Sequence, residues 1–233
     1  MKLNEVVPWG RSLEEYKSMF NMNETDLNKK ILGCGDGPAS FNSEMTALGY
    51  SVISIDPIYQ FSAVQIKERI QANYEPIISQ VKQNDDRYMW NNFRDADELG
   101  RARLAVMEKF LSDYQADNSS QRYLPLCLPT LDFPDGRNAH ALRAYRFELC
   151  LCSHLLFLYS EHLSLDFHIS SIYELMRIAP EIRIFPLVKL DCKRSPYIDS
   201  VIQEFSEQGF QVEVQNVSYE FQKGGDQMLK IQR

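Results

Sequence analysis

Three glycines at alternate positions are the residues of this sequence whose spacing most directly suggests chemistry. Gly33, Gly35 and Gly37 follow the apolar pair Ile31 and Leu32. Glycines spaced in this way let the backbone turn sharply and bring its bare N–H groups against a ligand. The next residue is a proline, which fits the first turn of a helix, and a helix N-terminus favours negative charge. The stretch therefore predicts a binding site for an anionic or polar group.

A carboxylate stands at the matching place one strand later. The second apolar run, residues 52–55, ends at Asp56, which lies 21 positions after Gly35. A carboxylate at the end of a second parallel strand can accept hydrogen bonds from both hydroxyls of a ribose. The order strand, glycine turn, helix, strand and acid therefore predicts a nucleoside-cofactor site.

The elements that position these residues are those of one α/β domain. The chain has 233 residues, 44% of them apolar, so we expect a single domain over residues 1–233. Helical spacing dominates residues 62–115, which is far more chain than one crossover helix needs, so part of it is predicted to be an insertion. The insertion has two interpretations, a lid over the ligand edge of the sheet or additional helical packing.

Several helix ends carry recognisable signals. Ser12 and Glu15 predict a capping box at the start of a leading helix. The helix after the glycine turn is predicted to begin near Pro38 and to bury a face that includes Leu48. Asp166 is predicted to cap a later helix.

Charge and composition limit the partners. Acidic side chains outnumber basic ones by 32 to 25, and the resulting charge of −7 argues against broad attraction to nucleic acid. The start of the chain lacks the apolar core of a signal peptide, and no apolar run reaches the ~18 residues that a membrane span needs. Five cysteines without framework spacing fit reduced thiols. We therefore expect a cytoplasmic protein that does not use a membrane; the sequence indicates no oligomeric state.

The assembled pattern, with a predicted antiparallel hairpin over residues 210–231, resembles class I S-adenosylmethionine-dependent methyltransferases. Gly33-Cys34-Gly35-Asp36-Gly37 looks like the family's G-x-G-x-G turn, whereas a dinucleotide fingerprint would have glycine at Pro38. Leu131-Asp132-Phe133, followed by residues 146–149, looks like the stretch that passes beneath the adenine and enters the fourth strand. The resemblance covers most of the chain and assigns no subgroup.

The resemblance implies a Rossmann-like, mostly parallel seven-stranded sheet with helices on both faces, a C-terminal antiparallel hairpin and a helical insertion after the second strand. It implies S-adenosylmethionine as the cofactor. Asp56 would hold the ribose, Pro57 and Ile58 would flank the adenine, and Ser153 would face the ligand after the fourth strand. The residues implied to bind the cofactor are Gly33, Cys34, Gly35, Gly37, Asp56, Pro57, Ile58, Leu131 and Ser153.

Two further residues bear on how the cofactor's methionine end is bound. The family usually has an acid two residues before the first glycine, where this chain has Ile31, so Asp36 is the candidate substitute for binding the amino group. Arg11, in an unusual Pro-Trp-Gly-Arg cluster, could bind a ligand carboxylate in a bidentate fork. Its alternative is a surface arginine beside a packed tryptophan.

Methyl transfer from a sulfonium requires alignment of the nucleophile and removal of its proton. His154, after the predicted fourth strand, is the candidate catalytic base, and Tyr159 is a candidate for orienting the substrate. The alternative for His154 is a structural hydrogen-bonding role.

The cysteines admit chemistry too, but simpler explanations exist. Cys34 could be a nucleophile, although a small apolar residue filling the turn is the simpler account. Cys150, Cys152 and His154 share one face of a strand by period two, which raises a metal site, but cysteines on core strands are common and we expect no metal.

We therefore expect a methyltransferase that acts on an oxygen or nitrogen of a small-molecule acceptor enclosed by the insertion. A protein or RNA acceptor is one alternative, and a non-catalytic nucleoside-binding module of the same fold is another. The chain lacks the Asn/Asp-Pro-Pro-Tyr motif of enzymes that methylate nucleic-acid amino groups, which further argues against a nucleic-acid acceptor.

Overall fold

The computed structural model describes residues 8–116, 122–133 and 147–233, which form a sheet with helices on both faces. Its strands are β1 (Ile31–Cys34), β2 (Val52–Ile55), β3 (Tyr123–Leu124), β4 (Leu149–Ser153), β5 (Glu181–Phe185), β6 (Gln211–Asn216) and β7 (Gln227–Gln232). Their order is β3-β2-β1-β4-β5-β7-β6, with β1 to β5 parallel and β7 antiparallel to both its neighbours. This mostly parallel seven-stranded sheet with a closing antiparallel hairpin confirms the predicted fold.

Two groups of helices cover the sheet. The helices are α1 (Leu13–Met19), α2 (Glu24–Leu27), α3 (Phe41–Ala47), α4 (Ala63–Gln83), α5 (Ala96–Ala116), α6 (Leu165–Ile178) and α7 (Ile198–Glu207). Apolar side chains of α6 and α7 pack on the face that carries Leu32 and Cys152. Those of α1 and α3 pack on the opposite face, which carries Ile31 and Leu151. Every residue of β1 and β4 is buried because these strands lie between both layers.

The predicted helical insertion consists of α4 and α5, which follow β2 and precede β3. A capping box between Ser62 and Gln65 begins α4, and the side chain of Asp95 accepts a hydrogen bond from the backbone N–H of Glu98 at 2.7 Å before α5. The two helices pack on each other through two apolar clusters, one of which includes Tyr59 and thereby connects the insertion to the end of β2. The insertion therefore lies beside the edge of the sheet where the glycine turn is.

Some local predictions need correction. Leu48 is 63% exposed because α3 ends at Ala47, one residue before it. Helix α6 begins earlier than predicted, since the side chain of Ser164, not that of Asp166, accepts a hydrogen bond from Phe167 N at 3.2 Å. Pro38 lies in the turn and precedes α3. The Ser12–Glu15 capping box is confirmed, and residue 146 lies outside the described residues.

Among the helices in the described part of the chain, none is long and apolar enough to cross a lipid bilayer.

Candidate functional site

A cavity of about 610 Å³ opens at the carboxyl ends of β1, β2 and β4. The glycine turn, the residues after β2 and the residues after β4 line it, together with α4 and the loop between β6 and β7. This is the edge where ligands bind in open parallel sheets, because the loops after neighbouring strands diverge there.

The glycine turn has a backbone that other residues rarely adopt. Gly35 has a φ of +70° and Gly37 a φ of +52°, both in the left-handed region. The N–H of Gly37 donates to Asp56 Oδ2 at 3.0 Å, and its carbonyl accepts from the hydroxyl of Tyr59 at 2.7 Å. A Cβ at Gly35 would come within 3.1 Å of the Ser153 carbonyl oxygen. The turn is thus fixed between the ends of β2 and β4.

Asp56 connects the turn to the residues after β2. Its Oδ1 accepts a hydrogen bond from Ile58 N at 2.8 Å, in addition to the bond from Gly37 to Oδ2. Burial raises the pKa of Asp56 to about 6, so the group is a carboxylate above that pH. Each carboxylate oxygen has a second lone pair, so Asp56 can accept further hydrogen bonds from a ligand in the cavity that it lines.

Asp36 folds back onto the turn. A Cβ at Gly33 would lie 1.9 Å from Asp36 Oδ2, so the missing side chain of Gly33 makes room for this carboxyl group. Asp36 accepts hydrogen bonds from the hydroxyls of Tyr16 at 2.7 Å and Ser54 at 2.6 Å. Burial raises the pKa of Asp36 to about 7. Ile31, where the resembling family has an acid, is fully buried in the core.

Arg11 also lines the cavity, next to the turn. Its Nη1 donates to the carbonyl oxygen of Trp9 at 2.8 Å, while its buried Nε has no hydrogen-bond partner among the described residues. The backbone carbonyl of Arg11 accepts from Ser40 N at 3.1 Å, which ties this segment to the start of α3. Burial, and then the nearby Arg103, lower the pKa of Arg11. A buried guanidinium with an unused donor favours an anionic ligand here.

A buried ion pair that the sequence analysis missed lies behind Arg11. The Arg103 guanidinium on α5 binds both carboxylate oxygens of Glu15 on α1, each at 2.6 Å, and its Nη2 lies 3.2 Å from the Tyr219 hydroxyl. Although burial alone would raise the pKa of Glu15, Arg103 lowers it to about 2. Glu15 and Arg103 are 88 positions apart, so their spacing gives no local signal. Arg11 feels the charges of both Arg103 and Glu15, so the cluster of these three groups carries a net positive charge beside the cavity.

His154 follows β4 and lines the cavity in a left-handed backbone conformation, with a φ of 52°. The backbone N–H of His154 donates to the carbonyl oxygen of Phe185 at 2.7 Å, and the imidazole Nδ1 lies 3.0 Å from the hydroxyl oxygen of Ser153. Burial, followed by the charges of Arg11 and Arg103, holds the pKa of His154 well below its usual value of 6.5. The imidazole is therefore neutral at pH 7, and the same burial and charges weaken it as a base unless an anion offsets them.

Most of the predicted site residues meet at this cavity, but three do not line it. Besides Asp56, Arg11 and His154, the lining includes Cys34, Gly35, Asp36, Gly37, Pro57, Ile58 and Tyr159. Gly33 contacts Asp36, and buried Ser153 contacts His154 from behind. Leu131 lies in the core, and Leu126, Cys127 and Leu128, which precede it, border the cavity.

Three of the five cysteines, Cys34, Cys150 and Cys152, are core residues. A hydrogen bond with Cys152, together with burial, holds the pKa of the Cys34 thiol well above its usual value, so Cys34 is a protonated thiol and not a nucleophile. Cys150 and Cys152 lie in the main apolar cluster. Within residues 8–116, 122–133 and 147–233 no group of three or more His, Cys, Asp or Glu side chains is arranged to hold a metal ion.

Fold and site define a Rossmann-like α/β protein with a ligand cavity at the carboxyl edge of its parallel strands. No family model matches the chain. It is 32% identical over 234 residues to the uncharacterized protein MJ0045 of Methanocaldococcus jannaschii, an alignment that covers 100% of this chain and 99% of the relative. The chain belongs to the family of that archaeal protein.

Solved structures with a related outline are more distant. Magnesium protoporphyrin IX methyltransferase from Synechocystis, with bound S-adenosylmethionine, is 11% identical and aligns over 90% of this chain and 73% of its own, with a TM-score of 0.44. The methyltransferase domain of bacterial Hen1 is 12% identical over 90% of this chain and 93% of its own, with a TM-score of 0.46. A likeness this distant does not indicate what the present chain binds.

Proposed function

We propose that this protein transfers the methyl group of S-adenosylmethionine to an oxygen or nitrogen of a small-molecule acceptor. The observation that carries the proposal is the meeting of the left-handed glycine turn, Asp56 and the side chain of Arg11 at one end of a cavity. Backbone N–H groups, a ribose-binding acid and a carboxylate-binding cation are the groups that this donor requires.

The residues fit the donor part by part. Asp56 would accept hydrogen bonds from the ribose hydroxyls, and Pro57, Ile58 and Leu128 would enclose the adenine. Arg11, whose side chain lines the cavity, would bind the methionine carboxylate, which would neutralise the excess positive charge of the cluster. Gly35 and Gly37 leave room for the backbone to approach the ligand.

When bound, the donor supplies an activated methyl group for an in-line displacement. The chain's part is to orient the acceptor, exclude water and accept the acceptor's proton. His154 is neutral, lines the cavity and is oriented by Ser153, so its Nε2 is the best-placed proton acceptor. Tyr159, which also lines the cavity, would orient the acceptor.

A transfer experiment tests the acceptor class. The full-length chain, S-adenosylmethionine with a labelled methyl group and a cell lysate are incubated together, and small molecules, proteins and RNA are separated before counting. We expect label in the small-molecule fraction. Label in protein or RNA would replace the small-molecule acceptor with a macromolecule, and binding of the donor without any transfer would favour the non-catalytic module.

A further inference from the structure

The cavity has two ends of different chemistry. Helix α4 runs along it, and its lining residues Arg69 and Val81 are 12 positions apart, or ~18 Å along a helix axis. The end near Arg69 holds the glycine turn and Asp56. We call the other end the acceptor compartment and define it by Ile77, Val81, Tyr88, Phe185, Leu190 and Phe221. These six side chains are apolar or aromatic.

Two separate segments close the acceptor compartment. The ring of Tyr88, from the insertion, stacks on that of Phe221, from the loop between β6 and β7, with centroids 4.7 Å apart and planes 16° from parallel. Backbone pairing holds the segments together, because Met89 N donates to the Phe221 carbonyl at 2.7 Å and Lys223 N to the Arg87 carbonyl at 3.0 Å. The compartment therefore has a wall of aromatic side chains, which pack favourably against the ring of an aromatic ligand.

The charges of the lining discriminate between acceptor groups. Its carboxylates are those of Asp36 and Asp56, which both belong to the glycine-turn end, and the described lining contains no glutamate and no lysine. An ammonium acceptor would thus have no counter-ion in the compartment. A phosphate-bearing one would have no cation there, because the arginines of the lining, Arg11 and Arg69, lie at the glycine-turn end.

We propose that the acceptor is a planar aromatic molecule with a phenolic hydroxyl, an inference that rests on the proposed function. Its rings would lie between Tyr88 and Val81, and its oxygen would lie at His154. A phenol loses its proton far more readily than an aliphatic alcohol, since it ionises near pH 10 as tyrosine does.

The reaction balances with these groups. The acceptor's O–H proton moves to Nε2 of His154, and an oxygen lone pair forms the bond to the methyl carbon. The bond from that carbon to sulfur breaks, and its electron pair stays on the sulfur, which becomes a neutral thioether. One positive charge is present before the step, on the sulfonium, and one after it, on the imidazolium. A donor carboxylate on Arg11 would reduce the repulsion that this imidazolium experiences.

Three probes test the acceptor class on the full-length chain with saturating S-adenosylmethionine. They are 2-naphthol, its saturated analogue decahydro-2-naphthol, and 2-(aminomethyl)naphthalene, which has the flat rings but an ammonium group. We expect 2-naphthol to be methylated with a kcat/KM at least ~10-fold above that of either analogue. Equal methylation of either analogue, or no methylation of 2-naphthol, would overturn the inference.

Matched variants on one helix test the location. Val81→Trp fills the acceptor compartment, whereas Val64→Trp places the same side chain at a position of α4 that is 67% exposed. We expect Val81→Trp to raise the KM for 2-naphthol at least ~10-fold and Val64→Trp to leave it unchanged. Leu190→Trp, at a half-buried position on the opposite wall, makes the same test should Val81→Trp not fold. An unchanged KM in the folded compartment variant would refute the location.

Donor binding separates the two levels of the proposal. The dissociation constant of S-adenosylhomocysteine is measured on every variant, and we expect it to stay within ~2-fold of the parent protein's value. Donor binding with failure of 2-naphthol would remove only the acceptor class. Absence of donor binding would remove the proposed function as well.

Discussion

The carboxylate of Asp56 accepts hydrogen bonds from the N–H groups of Gly37 and Ile58, so it fixes the glycine turn against the end of β2. Its position could be predicted because both the acid and the strand that ends at it are visible in a short stretch of sequence. Arg103 could not be predicted in the same way. Its partner Glu15 lies 88 positions away along the chain and is brought near it only by the tertiary fold.

Replacement of Asp56 by asparagine should weaken donor binding by about 10-fold or more, because a hydrogen bond to a charged group contributes ~1.5–3 kcal/mol. For the parent protein, we expect affinity to decline as the pH falls below about 6, where Asp56 becomes protonated. Titration calorimetry between pH 5 and pH 8 measures both effects. Asp166→Asn, at an exposed position, is the control; an affinity for Asp56→Asn equal to that of the control would contradict the ribose role.

Asp36 should make the folded protein less stable as the pH rises. Its pKa is about 7 in the folded chain against an ordinary value of 3.8, since burial disfavours the carboxylate, so the folded state binds the extra proton between these values. The free energy of unfolding should therefore fall between about pH 4 and pH 7, by a few kcal/mol at most.

Urea unfolding across this pH range tests the Asp36 prediction. In Asp36→Asn we expect a shallower decline, with the remaining slope due to Asp56, whose pKa is also raised. The amide can still take part in hydrogen bonds with the hydroxyls of Tyr16 and Ser54. Identical slopes in the variant and the parent protein would show that Asp36 does not titrate there.

His154→Asn separates catalysis from structure. Asparagine tolerates the left-handed backbone at this position but cannot take up the acceptor's proton. We expect turnover to fall by on the order of 100-fold or more, with donor affinity retained. His162→Asn, an exposed histidine in the following loop, serves as control. Turnover that is unchanged in His154→Asn would leave His154 with a structural role only.

At the scale of elements, the helical insertion is attached to the rest of the protein by specific polar contacts as well as by apolar packing. The Arg103–Glu15 pair joins α5 to α1, and the Tyr219 hydroxyl, which lies 3.1 Å from Glu15 Oε1, adds the loop between β6 and β7. Arg11 is four residues before Glu15. The network therefore connects the position of the insertion to that of the proposed carboxylate-binding residue.

Two neighbouring glutamates on α1 give a matched test of this connection. Glu15→Gln removes the partner of a buried guanidinium, so we expect a loss of about 3 kcal/mol or more in the free energy of unfolding. Glu14→Gln, whose side chain is 76% exposed, should change it little. Denaturant unfolding at pH 7 measures both, and equal effects would contradict the buried pair.

The pH dependence of the Glu15 pair has a defined sign. Because the pKa of Glu15 is lowered to about 2 from an ordinary 4.5, its stabilisation is complete above about pH 4.5 and is lost as the pH falls towards 2. The difference in stability between the parent protein and Glu15→Gln should accordingly shrink on acidification. A difference that grows below pH 4 would be inconsistent with an ionised Glu15.

The sequence predicted the elements better than their contacts, for a physical reason. Strands and helices follow from local apolar spacing and caps such as Ser12 with Glu15, which is why the parallel sheet, the insertion and the closing hairpin could be predicted. The stacked rings of Tyr88 and Phe221 join segments more than 130 positions apart, so no local pattern in the sequence indicates this contact. Leu131 was predicted to lie beneath the adenine but packs in the core. The strand before it, β3, is defined by pairing with β2, which the local sequence does not indicate.

In the molecule as a whole, one cavity at the carboxyl edge of the sheet has a polar, charged end and an apolar end. The glycine turn overlaps the end of β1, and Asp56 follows β2. Phe185 is the last residue of β5, and Phe221 lies in the loop of the hairpin that closes the sheet. Such a division suits a reaction that joins a polar nucleoside donor to an apolar acceptor. It also explains why the turn says more about the donor than about the acceptor.

Donor binding is the property on which the proposed function depends most. Titration calorimetry of the full-length chain with S-adenosylmethionine and S-adenosylhomocysteine tests it most directly. We predict binding of one molecule per chain with a dissociation constant on the order of 1–100 μM, lost or much weakened in Asp56→Asn, and no comparable binding of nicotinamide adenine dinucleotide. No heat from either methyl-donor species up to ~1 mM, or equally tight binding of the dinucleotide, would contradict the account.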